Sequence, residues 1–365
     1  MRGQNPFLVA VLLCGVLATG ISEAQTPTLE WSRLPDLPDT TGFAGAFAGV
    51  SGGALIVAGG TNFAAATPGG KLEKTWYDSV YVLESPSGAW QTGYKLPRAL
   101  AYGVSIVAKD ALICVGGCDE EKNHADVFAL RWVDHELQIN ELPPLPEPVS
   151  CASGALVGDT IYIAGGQPGP NPLSGPSMRN FWSMDLAEER PRWRELTPWP
   201  GVERFYAVAA TDGKSFYLLS GLRRIVREDG QPSLEYLRDA YRYDAPDAMG
   251  QGGWQRIADL PRPNAAAASP APVVMEHILL LGNGADGSNL DIPASERPGF
   301  GDELLAYSIR EDHWRKIGTI PAGRAALTAV QWGNRWVLPT GEVRPMVRSP
   351  EIHAAVALRR ANMTR

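Results

Sequence analysis

Two short motifs recur six times along this chain, and their spacing constrains the fold more than any single residue does. In the first, a tryptophan or polar strand runs into a Leu-Pro or similar corner. The copies begin at Trp31, Trp90, Gln138, Trp193, Trp254 and Trp314 and end at Pro38, Pro97, Pro146, Pro200, Pro261 and Pro321. In the second, a pair of small or polar residues ends an apolar strand, at Gly59-Gly60, Gly116-Gly117, Gly165-Gly166, Ser220-Gly221, Gly282-Asn283 and Thr340-Gly341. Successive copies stand roughly 50 to 60 residues apart. A sheet built from one such unit cannot bury both of its faces, so the units must stack on one another.

That period is close to the kelch repeat of propeller blades, and the reading is an all-β, six-bladed kelch β-propeller. Within a blade, four antiparallel strands run from the axis outward. In the first they are expected at 45–50, 54–58, 79–83 and 89–91. The second strands are short continuous apolar runs, as sheets covered on both faces require. The sixth blade supplies only three strands before the chain ends, near Leu358, whereas the chain opens with an unmatched unit from Trp31 to Pro38. The N-terminal strand is therefore expected to close the last blade, which removes a free sheet edge.

Domain organisation follows. Residues 1–24 read as a signal peptide, with Arg2, an apolar stretch from Phe7 to Leu17 and cleavage after Ala24; residues 25–360 form the propeller and 361–365 a tail. The leader predicts export, to the periplasm or beyond, with no membrane span after cleavage. A net charge of −7 argues against a nucleic-acid partner. Removing the leader leaves Cys114, Cys118 and Cys151, an odd number that rules out complete intrachain pairing. Cys114 lies in an apolar strand pattern; Cys118 ends one, where it could face a cavity.

Connections between the second and third strands of the blades are long, and antiparallel pairing sends them all to one end of the propeller. Long loops around the mouth of a rigid scaffold usually carry function. The segment 341–348, Gly-Glu-Val-Arg-Pro-Met-Val-Arg, leaves the last blade there. A carboxylate such as Glu342 at the end of a buried strand is partly desolvated, which suits it to acid or base work. Arg348 returns over the same mouth, where its planar fork could bind a carboxylate. An ordinary ion pair between the two is the plainer alternative. Arg204 and Arg324 are further candidates for an anionic ligand, set against a role in packing and backbone bonding. Asn62 and Tyr102 are candidate hydrogen-bond donors.

The 341–348 segment resembles the Glu-containing motif of the bacterial N-acetylneuraminate epimerases, also called sialic acid mutarotases. So do the run from Phe43 to Val50, Phe-Ala-Gly-Ala-Phe-Ala-Gly-Val, the following strand into Gly59-Gly60, and Ala101-Tyr102-Gly103-Val104-Ser105. The familiar members carry the Glu-containing blade mid-chain, with the Phe-Ala-Gly blade after it. Here the order is reversed, so the chain resembles a cyclically permuted relative. The resemblance implies an isomerase that interconverts the anomers of N-acetylneuraminate or a related acidic sugar, with Glu342 transferring protons, Arg348 holding the sugar and no cofactor. One departure stands out: Leu100 occupies a position where the family tends to have Arg, and Arg98 lies two residues earlier.

Other signals carry less. A glycine-rich stretch from Gly282 to Gly287 follows a strand, but Pro293 forbids the helix a dinucleotide site needs. The five histidines show no paired ligand spacing, so no metal site is expected and a copper radical oxidase is disfavoured. The alternative to the mutarotase is a non-catalytic propeller that binds a glycan or protein through the same mouth.

Overall fold

The computed structural model describes residues 26–63, 73–169 and 175–358. The expected leader, residues 1–24, and the expected C-terminal tail lie outside the described residues. Six four-stranded antiparallel sheets form the blades of a propeller. Blade 1 is Phe47–Ser51, Ala54–Ala58, Ser79–Leu83 and Gln91–Lys95. Blade 6 is Val330–Trp332, Arg335–Pro339, Ile352–Leu358 and, as its outermost strand, Thr28–Leu34. The N-terminal strand pairs along its whole length, from Thr28 opposite Leu358 to Leu34 opposite Ile352. The expected closure is therefore what the chain does.

Alternation along the apolar strands explains the stacking. On the strand Ala54–Ala58, Leu55 and Val57 join a cluster with Val337 and Ala354 of blade 6. Ala54, Ile56 and Ala58 point the other way and pack on Leu112 and Cys114 of blade 2. Side chains two apart share a face, so one continuous apolar run serves two neighbours. Six such clusters lie one between each adjacent pair of blades. Cys114 is a fully buried member of one of them.

The tryptophan repeat has a physical cause. The indole N–H of Trp90 donates to the Pro35 carbonyl at 3.1 Å, that of Trp193 to Pro143 at 2.9 Å, that of Trp254 to Thr197 at 2.9 Å and that of Trp314 to Ala258 at 2.9 Å. Each acceptor lies in the corner of the preceding blade, so the motif fastens one blade to the next. Trp31 is the exception: its indole nitrogen is buried without a protein partner.

At the axis a feature not anticipated from the sequence locks the blades together. One residue per blade, Gly45, Tyr102, Cys151, Tyr206, Ala266 and Ala326, has positive φ, between +52° and +67°. Their backbones form a closed ring, each N–H donating to the carbonyl of the ring residue in the preceding blade at 2.6–2.8 Å. Left-handed geometry costs a non-glycine residue about 1–2 kcal/mol, and the inter-blade bonds offset it. Because Gly45 belongs to this ring, the first strand of blade 1 begins at Phe47 rather than at residue 45 as expected. The outer strand of that blade is likewise shifted outward, to Gln91–Lys95.

Candidate functional site

In each blade an isolated bridge joins the segment after the second strand to the residue just before that blade's ring position. The paired residues are Ala44 with Thr61, Ala101 with Cys118, Ser150 with Gln167, Phe205 with Leu222, Ala265 with Ala285, and Ala325 with Glu342. The second members form the rim of the mouth, and Glu342 is the acid among them. In blades 1, 4 and 6 the connection continues as a two-stranded hairpin. In blade 6 the hairpin pairs Glu342 directly with Arg348.

Glu342 is held by one oxygen. Its Oε1 accepts the Met346 backbone N–H at 2.6 Å and Arg348 Nη1 at 3.0 Å. No described residue binds Oε2, and the side chain is 19 % exposed against 3 % for Arg348. The tight Pro345-Met346 turn places that N–H, with Met346 at φ +69°. Arg348 also lies over the Phe63 ring, 4.5 Å from its centre. The plainer sequence alternative, an ion pair, is thus present, but it leaves one carboxylate oxygen without a partner among the described residues.

Blade 1 contributes the adjoining wall through its hairpin Thr61–Phe63 and Lys74–Trp76. Thr61 faces Trp76 and Phe63 faces Lys74 in register, so these four side chains share one face. Thr61 Oγ1 and the Tyr102 hydroxyl are hydrogen-bonded at 2.8 Å. A Cβ at Gly45 would stand 2.5 Å from the Tyr102 ring, which is why the neighbouring ring position must be glycine. Tyr102 thus adjoins this face through Thr61. Asn62 does not: it sits on the opposite face of its strand, and its Oδ1 accepts the Tyr77 hydroxyl at 2.7 Å.

Arg204 and Arg324 are corrected by the structure. Both are completely buried. Arg204 Nη1 donates to the Ser220 carbonyl at 2.9 Å and Nη2 pairs with Asp239 at 2.7 Å. Arg324 Nη1 donates to the Thr340 and Glu351 carbonyls at 2.6 and 2.9 Å. Each ties the end of a second strand to the start of the third, and neither reaches the mouth. Burial draws the Arg324 guanidinium down to about 10, against the opposing pull of Glu351. Leu100 immediately precedes its blade's bridge residue, as Arg204 and Arg324 do, and is itself buried. The departure at Leu100 accordingly changes the packing of a blade. Arg98 points elsewhere, pairing with Asp126 at 3.2 Å.

Sequence reasoning missed Thr61, Phe63, Lys74 and Trp76, having read residues 61–78 as a loop. Their alternation on two short strands was the available signal. Near them lie two of the three buried cysteines. Burial raises the Cys118 thiol, with the Lys74 charge pulling the other way. Burial pushes Cys151 up to about 12, with Cys118 adding to the effect. Among the described residues no group of His, Cys, Asp or Glu is arranged to hold a metal, and no helix is long and apolar enough to cross a membrane.

Comparison with known proteins adds to this geometry. A family model described as N-acetylneuraminate epimerase matches residues 16–139. The chain is 30 % identical over 239 residues to the N-acetylneuraminate epimerase of Haemophilus influenzae (strain 86-028NP), covering 58 % of each protein. It is 38 % identical over 160 residues to that of Brucella melitensis biotype 1, covering 38 % of this chain and 40 % of the relative. The chain thus spans well under two thirds of the length of these curated relatives. A solved structure titled "Structure of YjhT" superposes with a TM-score of 0.64 over 87 % of this chain and 95 % of that one, at 13 % identity, and so shares the fold. Over part of its length, the chain is related to the N-acetylneuraminate epimerases, as its residues had implied.

Proposed function

We propose that the protein is a sugar mutarotase acting on N-acetylneuraminate or a related acidic sugar, with Glu342 as the proton-transferring group. The observation that carries this reading is the state of the Glu342 carboxylate: Oε1 is fixed by Met346 and Arg348, while no described residue binds Oε2. A group immobilised by one oxygen and reactive through the other is oriented without being consumed. Glu342 takes the proton of the anomeric hydroxyl as the ring C–O bond breaks and hands that proton to the ring oxygen, which returns the carboxylate to its starting state. The open-chain ketone rotates about its bond to the next carbon, and the steps run in reverse to close the other anomer. No atom is gained or lost. Arg348 keeps the carboxylate in place and balances its charge. General acid–base catalysis of this kind contributes about 10²- to 10⁴-fold over water.

The relatives' names support the substrate class. Partial coverage is also what a cyclic permutation leaves, since an alignment in chain order loses the blades that crossed the termini. The closed ring makes blades 1 and 6 neighbours in either order. Export through the leader, expected from the sequence, remains part of the proposal. The test is Glu342→Gln: anomer exchange followed by NMR should fall to the spontaneous rate while the protein stays folded. Sugar binding by the wild-type protein with no acceleration would favour the non-catalytic alternative.

A further inference from the structure

The proposed chemistry leaves a cation at the mouth unused. Lys74 opens its hairpin strand directly across from Phe63. Its Nζ lies 4.4 Å from the centre of the Tyr102 ring and 4.7 Å from that of Trp76. Among the described residues it has no ion-pair partner and no hydrogen-bond acceptor. An ammonium resting on ring faces keeps all three N–H donors available.

Several other cations around the mouth are committed. Arg348 holds Glu342, Arg223 pairs with Glu235 at 2.7 Å, and Arg262 pairs with Glu303 at 3.2 Å. Arg204 and Arg324 are sealed inside their blades. Two further donors on the hairpins flanking the mouth are buried: Arg348 Nε has no acceptor among the described residues, and Trp76 Nε1 has only the Cys118 thiol beside it. Buried polar groups are normally satisfied. On the two hairpins beside Lys74 the unmet ones are N–H donors, whereas on the blade 2 and 3 side of the rim Asn123 Oδ1 and Gln167 Oε1 are unmet acceptors. The donors therefore favour an anion on the Lys74 side of the mouth.

Position agrees with charge. In a sugar of the N-acetylneuraminate class the carboxylate is borne by the anomeric carbon, so its cation must stand close to the group that handles the anomeric hydroxyl. Arg348 lies over the Phe63 ring and Lys74 is the cross-strand partner of Phe63, a spacing of about 5 Å between directly opposed residues. Lys74 and Trp76 also line an open groove of about 760 Å³ with Glu73, Asp119, Glu120 and Glu121. Those carboxylates repel an anion, which leaves the axial side, over Tyr102, as the approach.

We infer that Lys74, supported by Tyr102 and Trp76, is the specificity-determining residue that receives the substrate carboxylate, an assignment that rests on the mutarotase reading for the identity of the ligand. The test uses the full chain and two probes, N-acetylneuraminate and its uncharged methyl ester, with binding measured by calorimetry and anomer exchange by NMR. Lys74→Met should weaken the acid by about 10- to 100-fold and the ester by less than about 3-fold. The loss should fall on KM, with kcat nearly unchanged, because the ammonium binds ground and transition states alike. Lys74→Arg should recover part of the preference, and an unchanged melting midpoint in both variants would show that the rings have not collapsed. Equal losses for acid and ester, or unchanged acid binding, would overturn the assignment. The two proposals fail separately. Lys74-dependent binding of the acid without accelerated exchange sinks the mutarotase reading alone, and accelerated exchange indifferent to Lys74 sinks this one alone.

Discussion

Blades 4 and 6 are built alike and furnished differently. Each has a completely buried arginine, Arg204 or Arg324, bonded to the end of its second strand. Each bridges the residue before its ring position to the rim, Phe205 to Leu222 or Ala325 to Glu342, and each continues into a hairpin. The opposed pair at the rim is Leu222 with Tyr236 in blade 4 but Glu342 with Arg348 in blade 6. Residues repeated at equivalent positions belong to the scaffold. Residues that break the repeat, at a rim where the scaffold would accept an apolar pair, are the ones that need a chemical reason.

The largest effect should come from the strand that only blade 6 borrows. Deleting residues 28–38 removes its outer strand and leaves blade 4 whole, and the protein should lose its cooperative thermal transition. An unchanged melting midpoint would mean that blade 6 stands without its borrowed strand. Next, Glu342→Gln should cost about 10²- to 10⁴-fold in anomer exchange, whereas Leu222→Ala at the equivalent rim position should leave kcat intact. A similar loss from both would erase the distinction between the blades.

The buried arginines sharpen the comparison further. Arg204→Ala strands the Ser220 carbonyl and most of the Asp239 partnership inside blade 4, and should cost about 3 kcal/mol in denaturant unfolding. Arg324→Ala should cost about 1–2 kcal/mol, because Glu351 is 40 % exposed and can turn to water.

The smallest effect is on pH dependence. Burial opposes charge on Asp239, but Arg204 and Tyr241 outweigh it and hold the carboxyl below its ordinary 3.8. Its contribution is therefore present above pH 3.8 and is lost as pH falls through the lower folded value. His353, in blade 6, is lowered from 6.5 by burial and by the Arg324 and Arg33 charges, against Glu351. Its unfolded form takes up a proton first, so stability should decline as pH drops from 6.5 toward the folded value. Melting midpoints across pH should show the upper step vanish in His353→Gln and the lower one shrink in Asp239→Asn.

The architecture was legible because its signals are local and repeated. The indole-to-corner bonds recur at a fixed place in four of the six units, and the borrowed strand shows as a unit without a blade. The axial ring left no such mark, since Tyr102, Cys151 and Tyr206 are not residue types that announce positive φ. Glu342 and Arg348 could be singled out because a charged pair interrupts a small-residue strand end. Arg204 and Arg324 misled for the same reason: a charge near a mouth reads as a binding group until burial shows its donors spent on carbonyls. Lys74 was hidden because its significance lies in a missing partner, which sequence does not display.

The central claim is that Oε2 of Glu342 moves protons at an anomeric centre. It is tested most directly by dissolving a single anomer of N-acetylneuraminate with wild-type protein and following its equilibration by NMR. The account predicts equilibration well ahead of the protein-free sample, and a rate indistinguishable from that sample at every protein concentration would contradict it.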